Sequence, residues 1–263
     1  MTMSVSTAWD ETAALARAQG WRLFGLAFLF LALPGAAVRA LAPVTMPGRV
    51  PATGLWLALV PLLCVASLIG ALAISHIALQ AGAGLGAALR RGVGWKRLLT
   101  LLCAALLVAG TGLLLAMPLL LLAAGATRYL GEDGLLAAWL GLVALFLMML
   151  ILVFWTRMVL LTPIAAAEEL GPMRLILRSW DLTRGHFWRL LGALLVVLGV
   201  SLVVMIASSL LVGLLVALIA GRPAPGGASM ALILLVSALV QAVISGIFTI
   251  FVARLYAQRA GAG

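Results

Sequence analysis

Charge is scarce in this sequence: 9% of its 263 residues are Asp, Glu, Lys or Arg, and only seven are acidic. Histidine and cysteine are scarcer still, with two of each: His76 and His186, Cys64 and Cys103. A metal centre needs several such ligands gathered by spacing, and there is no HExxH helix and no CxxC pair. Both cysteines lie inside apolar runs and read as small core hydrophobes, not as a disulfide. The single lysine, in "GWKRLL", is outside any GxxxxGK[ST] loop, and no GxSxG elbow is present. The expectation is a non-enzymatic protein with no catalytic residues, no metal and no cofactor. Each lone histidine reads as a polar anchor.

What is abundant is hydrocarbon. Apolar residues make up 65% of the chain, and mean hydropathy is +1.27. The segment "LLAAWLGLVALFLMMLILVFW", residues 135–155, carries no charge. At about 1.5 Å per residue such a run crosses a hydrocarbon core of about 30 Å. Runs of this kind predict six membrane-crossing helices, near residues 22–41, 53–76, 96–124, 135–167, 188–220 and 229–256. The polar lead before residue 22 contains Asp10 and Glu11, long and acidic for a signal-peptide n-region, so the first run is expected to be an uncleaved helix. The predicted fold is an all-α membrane protein, a single integral membrane domain over residues 1–263.

An even number of spans puts both termini on one side. The turns at 42–52, 125–134 and 221–228 are short and hold only Arg49, Arg128 and Arg222, with Arg39 just inside. Twelve basic residues gather on the other side, so the positive-inside rule makes that side cytoplasmic, with both termini there. The excess of Arg over Lys, with abundant Ala, Leu and Gly, suggests a GC-rich bacterial genome, and with six spans the expected location is the bacterial inner membrane. The net charge of +10 flanks hydrophobic spans and forms no soluble basic patch, so membrane lipids, anionic phospholipids among them, are the expected partners rather than nucleic acid. A membrane or cytoplasmic protein partner is also compatible with the composition.

Three segments align without gaps: "AALARAQGWR" from Ala13, "AALRRGVGWK" from Ala87 and "WDLTRGHFWR" from Trp180. They share Leu15, Leu89 and Leu182; Arg17, Arg91 and Arg184; Trp21, Trp95 and Trp188; and Arg22, Lys96 and Arg189. Each precedes an odd-numbered span. The implied unit is a cytoplasmic amphipathic interfacial helix, a Trp and basic collar for lipid headgroups, and a helical hairpin. Three units, about 7–76, 80–167 and 171–256, would be related by a pseudo-threefold axis along the membrane normal. In the third, Gly171 and Pro172 start a helix on which Met173, Ile176, Leu177 and Trp180 form an apolar face, with Arg174, Arg178 and Asp181 facing away and Gly185 closing it. Arg157 is expected to reach the headgroups, the apolar segment after it to pack on protein or bend at Pro163, and the acidic helix end at Glu168 and Glu169 to pair with Arg174 or Arg178; the alternative for these charges is a substrate or proton site.

On the last span Ser237, Gln241, Ser245 and Thr249 recur at every fourth position, with Ser201 and Ser208 able to face them from the fifth. Such residues pack helices together or line a polar path. No charged residue interrupts the stripe, which argues against a coupled ion pump.

Residues 157–192, "RMVLLTPIAAAEELGPMRLILRSWDLTRGHFWRLLG", resemble the membrane domain found beside some bacterial glycerophosphoryl diester phosphodiesterases and the related YciC-like family of integral membrane proteins. The matching positions are Arg157, Pro163, Glu168 or Glu169, Gly171, Ser179, Trp180, Leu182, Arg184, Gly185 and Trp188. The resemblance implies a multi-span membrane protein. Catalysis in the fused proteins is assigned to a soluble barrel domain absent here, so the phosphodiesterase activity is not carried across. The expected function is lipid interaction or envelope maintenance. The alternatives are a transporter or permease subunit using the stripe, and an accessory component of glycerophospholipid catabolism.

Overall fold

Long apolar runs leave the backbone no solvent to bond with inside a bilayer, so helix is the outcome wherever the chain crosses. The computed structural model describes residues 4–41, 55–80, 84–129, 134–220 and 227–261, and every element among them is helical. In order these are α1 (Val5–Ala27), a π-helical turn (Phe28–Ala32), α2 (Leu33–Leu41), α3 (Leu55–Leu79), α4 (Leu85–Gly92), α5 (Trp95–Tyr129), α6 (Gly134–Met158), α7 (Leu161–Ala167), α8 (Pro172–Thr183), α9 (Phe187–Ala220) and α10 (Ala228–Ala260). Six stretches are long and apolar enough to cross a membrane: Val5–Val38, Leu59–Leu79, Trp95–Pro118, Trp139–Ala167, Phe187–Ile219 and Ser229–Ala260. The chain is a multi-pass membrane protein.

Prolines account for the irregular turns. Pro34 has no N–H to give the Phe30 carbonyl, and the first span takes up the defect as one wide turn in which the Leu33 N–H bonds the Phe28 carbonyl. Pro163 likewise cannot donate to Val159, so the fourth span breaks at Val159–Leu160 and restarts as α7. The expected bend is there.

Two boundaries differ from expectation. The segment before residue 22 is not a separate helix; α1 runs through it with one non-helical residue, Gln19, at φ −129° and ψ 19°. The turn expected at 125–134 is shorter, because α5 continues to Tyr129 and α6 begins at Gly134. Residues 42–52 and 221–226, with Arg49 and Arg222, lie outside the described residues, as do the side chains of Arg39 and Arg128.

The second helices of the first and third hairpins, α3 and α10, lie towards the middle with α7, the short end of the fourth span, whereas α6 lies on the outside. α3 packs on α7 and α10, and α7 also touches α10, while the first span, α5 and α9 are arranged around them. The first span closes against α10 through Leu26, Ala27, Ala32, Ala238 and Ala242. Burial concentrates at the end of the bundle that carries α4 and α8, hereafter the collar end. Leu72 to Ala78 on α3, Leu160 to Ala166 around α7 and Ile250 to Leu255 on α10 are its densest stretches.

Candidate functional site

The three aligned Trp residues share one environment. Trp21, Trp95 and Trp188 are 84%, 72% and 70% exposed, although each begins or enters an apolar helix. Beside them Arg22, Lys96 and Arg189 are exposed; Arg17 and Arg184 are exposed too, and Arg91 is half-buried. The backbone leaves helical geometry just before each Trp: at Gln19, at Val93–Gly94 between α4 and α5, and at Arg184–His186 between α8 and α9. In the third case Gly185 takes φ +77°, the left-handed cap that glycine supplies without strain. Leu15, by contrast, is buried, and Leu89 and Leu182 are partly so. Each segment therefore turns its Leu inward and its Trp outward.

The Arg157 side chain is bound within the protein, at the C-terminal end of α8. Its Nη1 donates to the Trp180 carbonyl at 3.3 Å and to Thr183 Oγ1 at 3.1 Å, and its guanidinium lies 4.9 Å from the Trp180 ring and 5.3 Å from Phe187. Ser179 Oγ returns the link by donating to the Arg157 carbonyl at 2.6 Å. The cause is local. The last carbonyls of α8 lack the N–H donors of a further helical turn and carry the negative end of its dipole, and two aromatic faces stand beside them. Arg157 thus locks the C-terminus of α8 to the fourth span.

The acidic pair is held from three directions. Glu169 Oε1 accepts from Arg97 at 2.7 Å, and Arg97 also donates to the Ala166 carbonyl at 3.4 Å. Glu168 accepts from Tyr256 Oη at 2.8 Å and pairs with Arg178 at 3.5 Å. The expected partner on α8 is present in Arg178. Arg97 and Tyr256 were not foreseen; the signal for Tyr256 was its rarity, as one of two tyrosines. A cleft of about 410 Å³ opens between Lys96, Arg97 and Thr100 on α5 and Glu168 and Glu169 after α7. Next to it Arg91, Trp95, Lys96 and Glu169 line a second hollow, so the second collar borders a polar depression with both signs of charge.

α8 has three faces rather than two. Leu175, Ser179 and Thr183 are buried against the bundle; Met173, Leu177 and Trp180 are exposed and apolar; Arg174, Arg178 and Asp181 are exposed and charged. Pro163 is buried in α7, and Gly171 caps the start of α8. His186 sits beside Arg259, which also donates to the Arg184 carbonyl at 3.4 Å. His76 is buried on α3.

Along α10, Ser245 Oγ donates to the Gln241 carbonyl and Thr249 Oγ1 to the Ser245 carbonyl, both at 2.7 Å. Ser201 and Ser208 also bond carbonyls of their own helix, at 2.7 and 3.0 Å. Ser237 and Gln241 are half-buried. The close approach to the first span is made by the adjacent stripe of Ala238, Ala242, Gly246 and Ile250; a Cβ on Gly246 would lie 3.2 Å from that of Ala27.

The family model described as Domain of unknown function (DUF7847) matches residues 3–259. Comparison with curated proteins and with solved structures found no match.

Proposed function

We propose, for a chain that belongs to the DUF7847 family, a lipid-interacting role without catalysis: its three collars hold anionic phospholipid headgroups at the cytoplasmic face of a bacterial inner membrane. The observation that carries this reading is the shared exposure of Trp21, Trp95 and Trp188, each following a backbone break and followed by a free-standing cation. Exposed indoles prefer the headgroup level, where the ring is half wet and half apolar. Each basic residue near an anionic surface contributes about 1 kcal/mol, so one pair is weak and three together are appreciable. The breaks at equivalent positions and the central packing of α3, α7 and α10 support a pseudo-threefold repeat of interfacial segment, collar and hairpin.

The test is native mass spectrometry of a variant with Arg17, Arg91 and Arg184 all replaced by Gln. Retention of phosphatidylglycerol or cardiolipin should fall. Unchanged retention with the fold intact overturns the headgroup reading and leaves the collars as orientation signals. Sidedness is tested by cysteine labelling from outside the cell. A probe at Gly226 should react and one at Asp181 should not; Asp181 is chosen because it is exposed, whereas Thr183 beside it is buried.

A further inference from the structure

We infer that one glycerophospholipid is held in the third sector, with its phosphate at Arg189 and one acyl chain in the groove between α9 and α10. A cavity of about 690 Å³ lies there, within the range of ligand-binding pockets. Gly192, Val200 and Val204 wall it on α9, Val243 and Phe251 on α10. Ser201 and Ser6 also face it, but the Ser201 hydroxyl is bonded to the Val197 carbonyl at 2.7 Å and that of Ser6 lies 3.0 Å from Ser4 Oγ; the rest of the lining is hydrocarbon.

The dimensions select the occupant. From Gly192 to Val204, at about 1.5 Å per residue, the groove runs about 18 Å, against about 15 Å for half of a 30 Å hydrocarbon core. It therefore takes a chain from the collar-side leaflet down to the midplane. At its collar end the N-terminal part of α1 crosses above it: Ala8 packs with Leu190 and Leu255, and Trp9 meets Phe251 edge-on at 6.2 Å. A chain in the groove is then covered on the α9, α10 and Trp9 sides, whereas lipid on the convex outer faces touches protein on one side only. More contacts per methylene hold it longer.

The headgroup end is fixed by helical period. Arg189 is exposed and stands eleven residues, close to three whole turns, before Val200, hence on the same face of α9 as the groove. The anionic phosphate common to glycerophospholipids meets a guanidinium at the groove's mouth. This assignment rests on the collar reading for its headgroup, and on the groove alone for its chain.

The experiment fills the groove. Protein purified from vesicles of phosphatidylethanolamine and phosphatidylglycerol in equal parts is washed in mild detergent and its retained lipid counted by native mass spectrometry. Val200→Trp should remove one lipid that wild type keeps. Val203→Trp, the same change on an exposed residue outside the groove, should keep it. Gly192→Leu repeats the test without relying on Trp, because a Cβ there meets no atom within 4 Å. A wild type that retains no lipid, or groove variants that retain as much as the control, overturns the proposal. Loss in the groove variants but in neither Arg189→Gln nor the triple Arg→Gln variant would uphold the acyl site while removing the collars, Arg189 included, as headgroup sites. The converse would leave the collars and remove the groove.

Discussion

The two parts of the fourth span are both apolar and differ in burial. In α6, Trp139, Leu142, Phe146 and Met148 are 57–63% exposed; in α7, Leu161, Ile164, Ala165 and Ala166 are at most 7% exposed. α6 faces lipid and α7 faces protein. Hydropathy cannot separate them, because lipid tails are as apolar as a leucine core and supply no hydrophobic force between helices. Side-chain size does. The exposed part is built of Leu, Met, Phe and Trp, the buried part of "LTPIAAA", and the same holds on α10, where Ala238, Ala242 and Gly246 make the contact with the first span.

The sharpest way to break that comparison is one substitution made twice. A Cβ on Gly70 would run into the Phe30 side chain at the π-helical turn of the first span, whereas at Gly141 it meets nothing within 4 Å. Gly70→Leu should destabilise by about 3 kcal/mol or more, since overpacking a closed contact costs 1–3 kcal/mol even for smaller insertions. Gly141→Leu should be neutral or stabilising by up to about 1 kcal/mol through helix propensity. Unfolding in detergent, followed by circular dichroism, measures both; equal losses would mean that α6 is packed after all.

The next effect concerns charged groups, which among the described side chains gather at the collar end. Arg157→Met leaves the Trp180 carbonyl without its external donor and removes the guanidinium from between two rings. A hydrogen bond from a charged group contributes about 1.5–3 kcal/mol and a ring contact about 0.5–1, offset in part by the better lipid solubility of Met. A net loss of about 2 kcal/mol is expected, with Arg157→Lys intermediate because it keeps the charge but not the planar fork. No loss would return Arg157 to the role of a headgroup anchor.

Smaller again is the contrast within the acidic pair. Tyr256 is 4% exposed and its hydroxyl serves Glu168, so Tyr256→Phe should cost about 1 kcal/mol. The Glu169 side chain is 75% exposed, and Glu169→Gln should cost under about 0.5 kcal/mol despite a 2.7 Å ion pair, with the difference vanishing in high salt. If the exposed pair proved the stronger, the cleft beside Lys96 would be drier than its geometry implies.

Much of this layout was legible beforehand. Six spans, the break at Pro163, the start of α8 at Gly171–Pro172 and its closure at Gly185 all follow from residue types whose backbone rules are local. What could not be read was which apolar face meets protein. On α8 the periodic face of Met173, Ile176, Leu177 and Trp180 is exposed except at Ile176, which packs on the core, and the buried face is Leu175, Ser179 and Thr183. A soluble helix would have buried the first; beside lipid an apolar face has two acceptable neighbours. The partners of the Arg157 side chain, and Tyr256 as a partner of Glu168, were hidden for another reason: they lie 23 to 88 residues away, and only packing brings them together.

The smallest effect is expected at Gln241, where α10 passes from its packed to its exposed part. Ser245 and Thr249 spend their hydroxyls on carbonyls of α10 itself, so the stripe they share with Ser237 and Gln241 does not bind helices by hydrogen bonds from those hydroxyls. The Gln241 side chain borders a small hollow of about 100 Å³ with Ala32, Gly35 and Ala238, where a leucine fits without displacing backbone. Gln241→Leu should therefore change stability by less than about 0.5 kcal/mol, below the mean for interhelical hydrogen bonds in membranes. One residue along, Ala242 is 0% exposed against the first span, and Ala242→Leu should cost about 1–3 kcal/mol. Equilibrium unfolding of the two variants side by side decides which stripe joins the helices. If Gln241→Leu proves the more damaging, the small-residue stripe is not the contact that matters, and the polar one is.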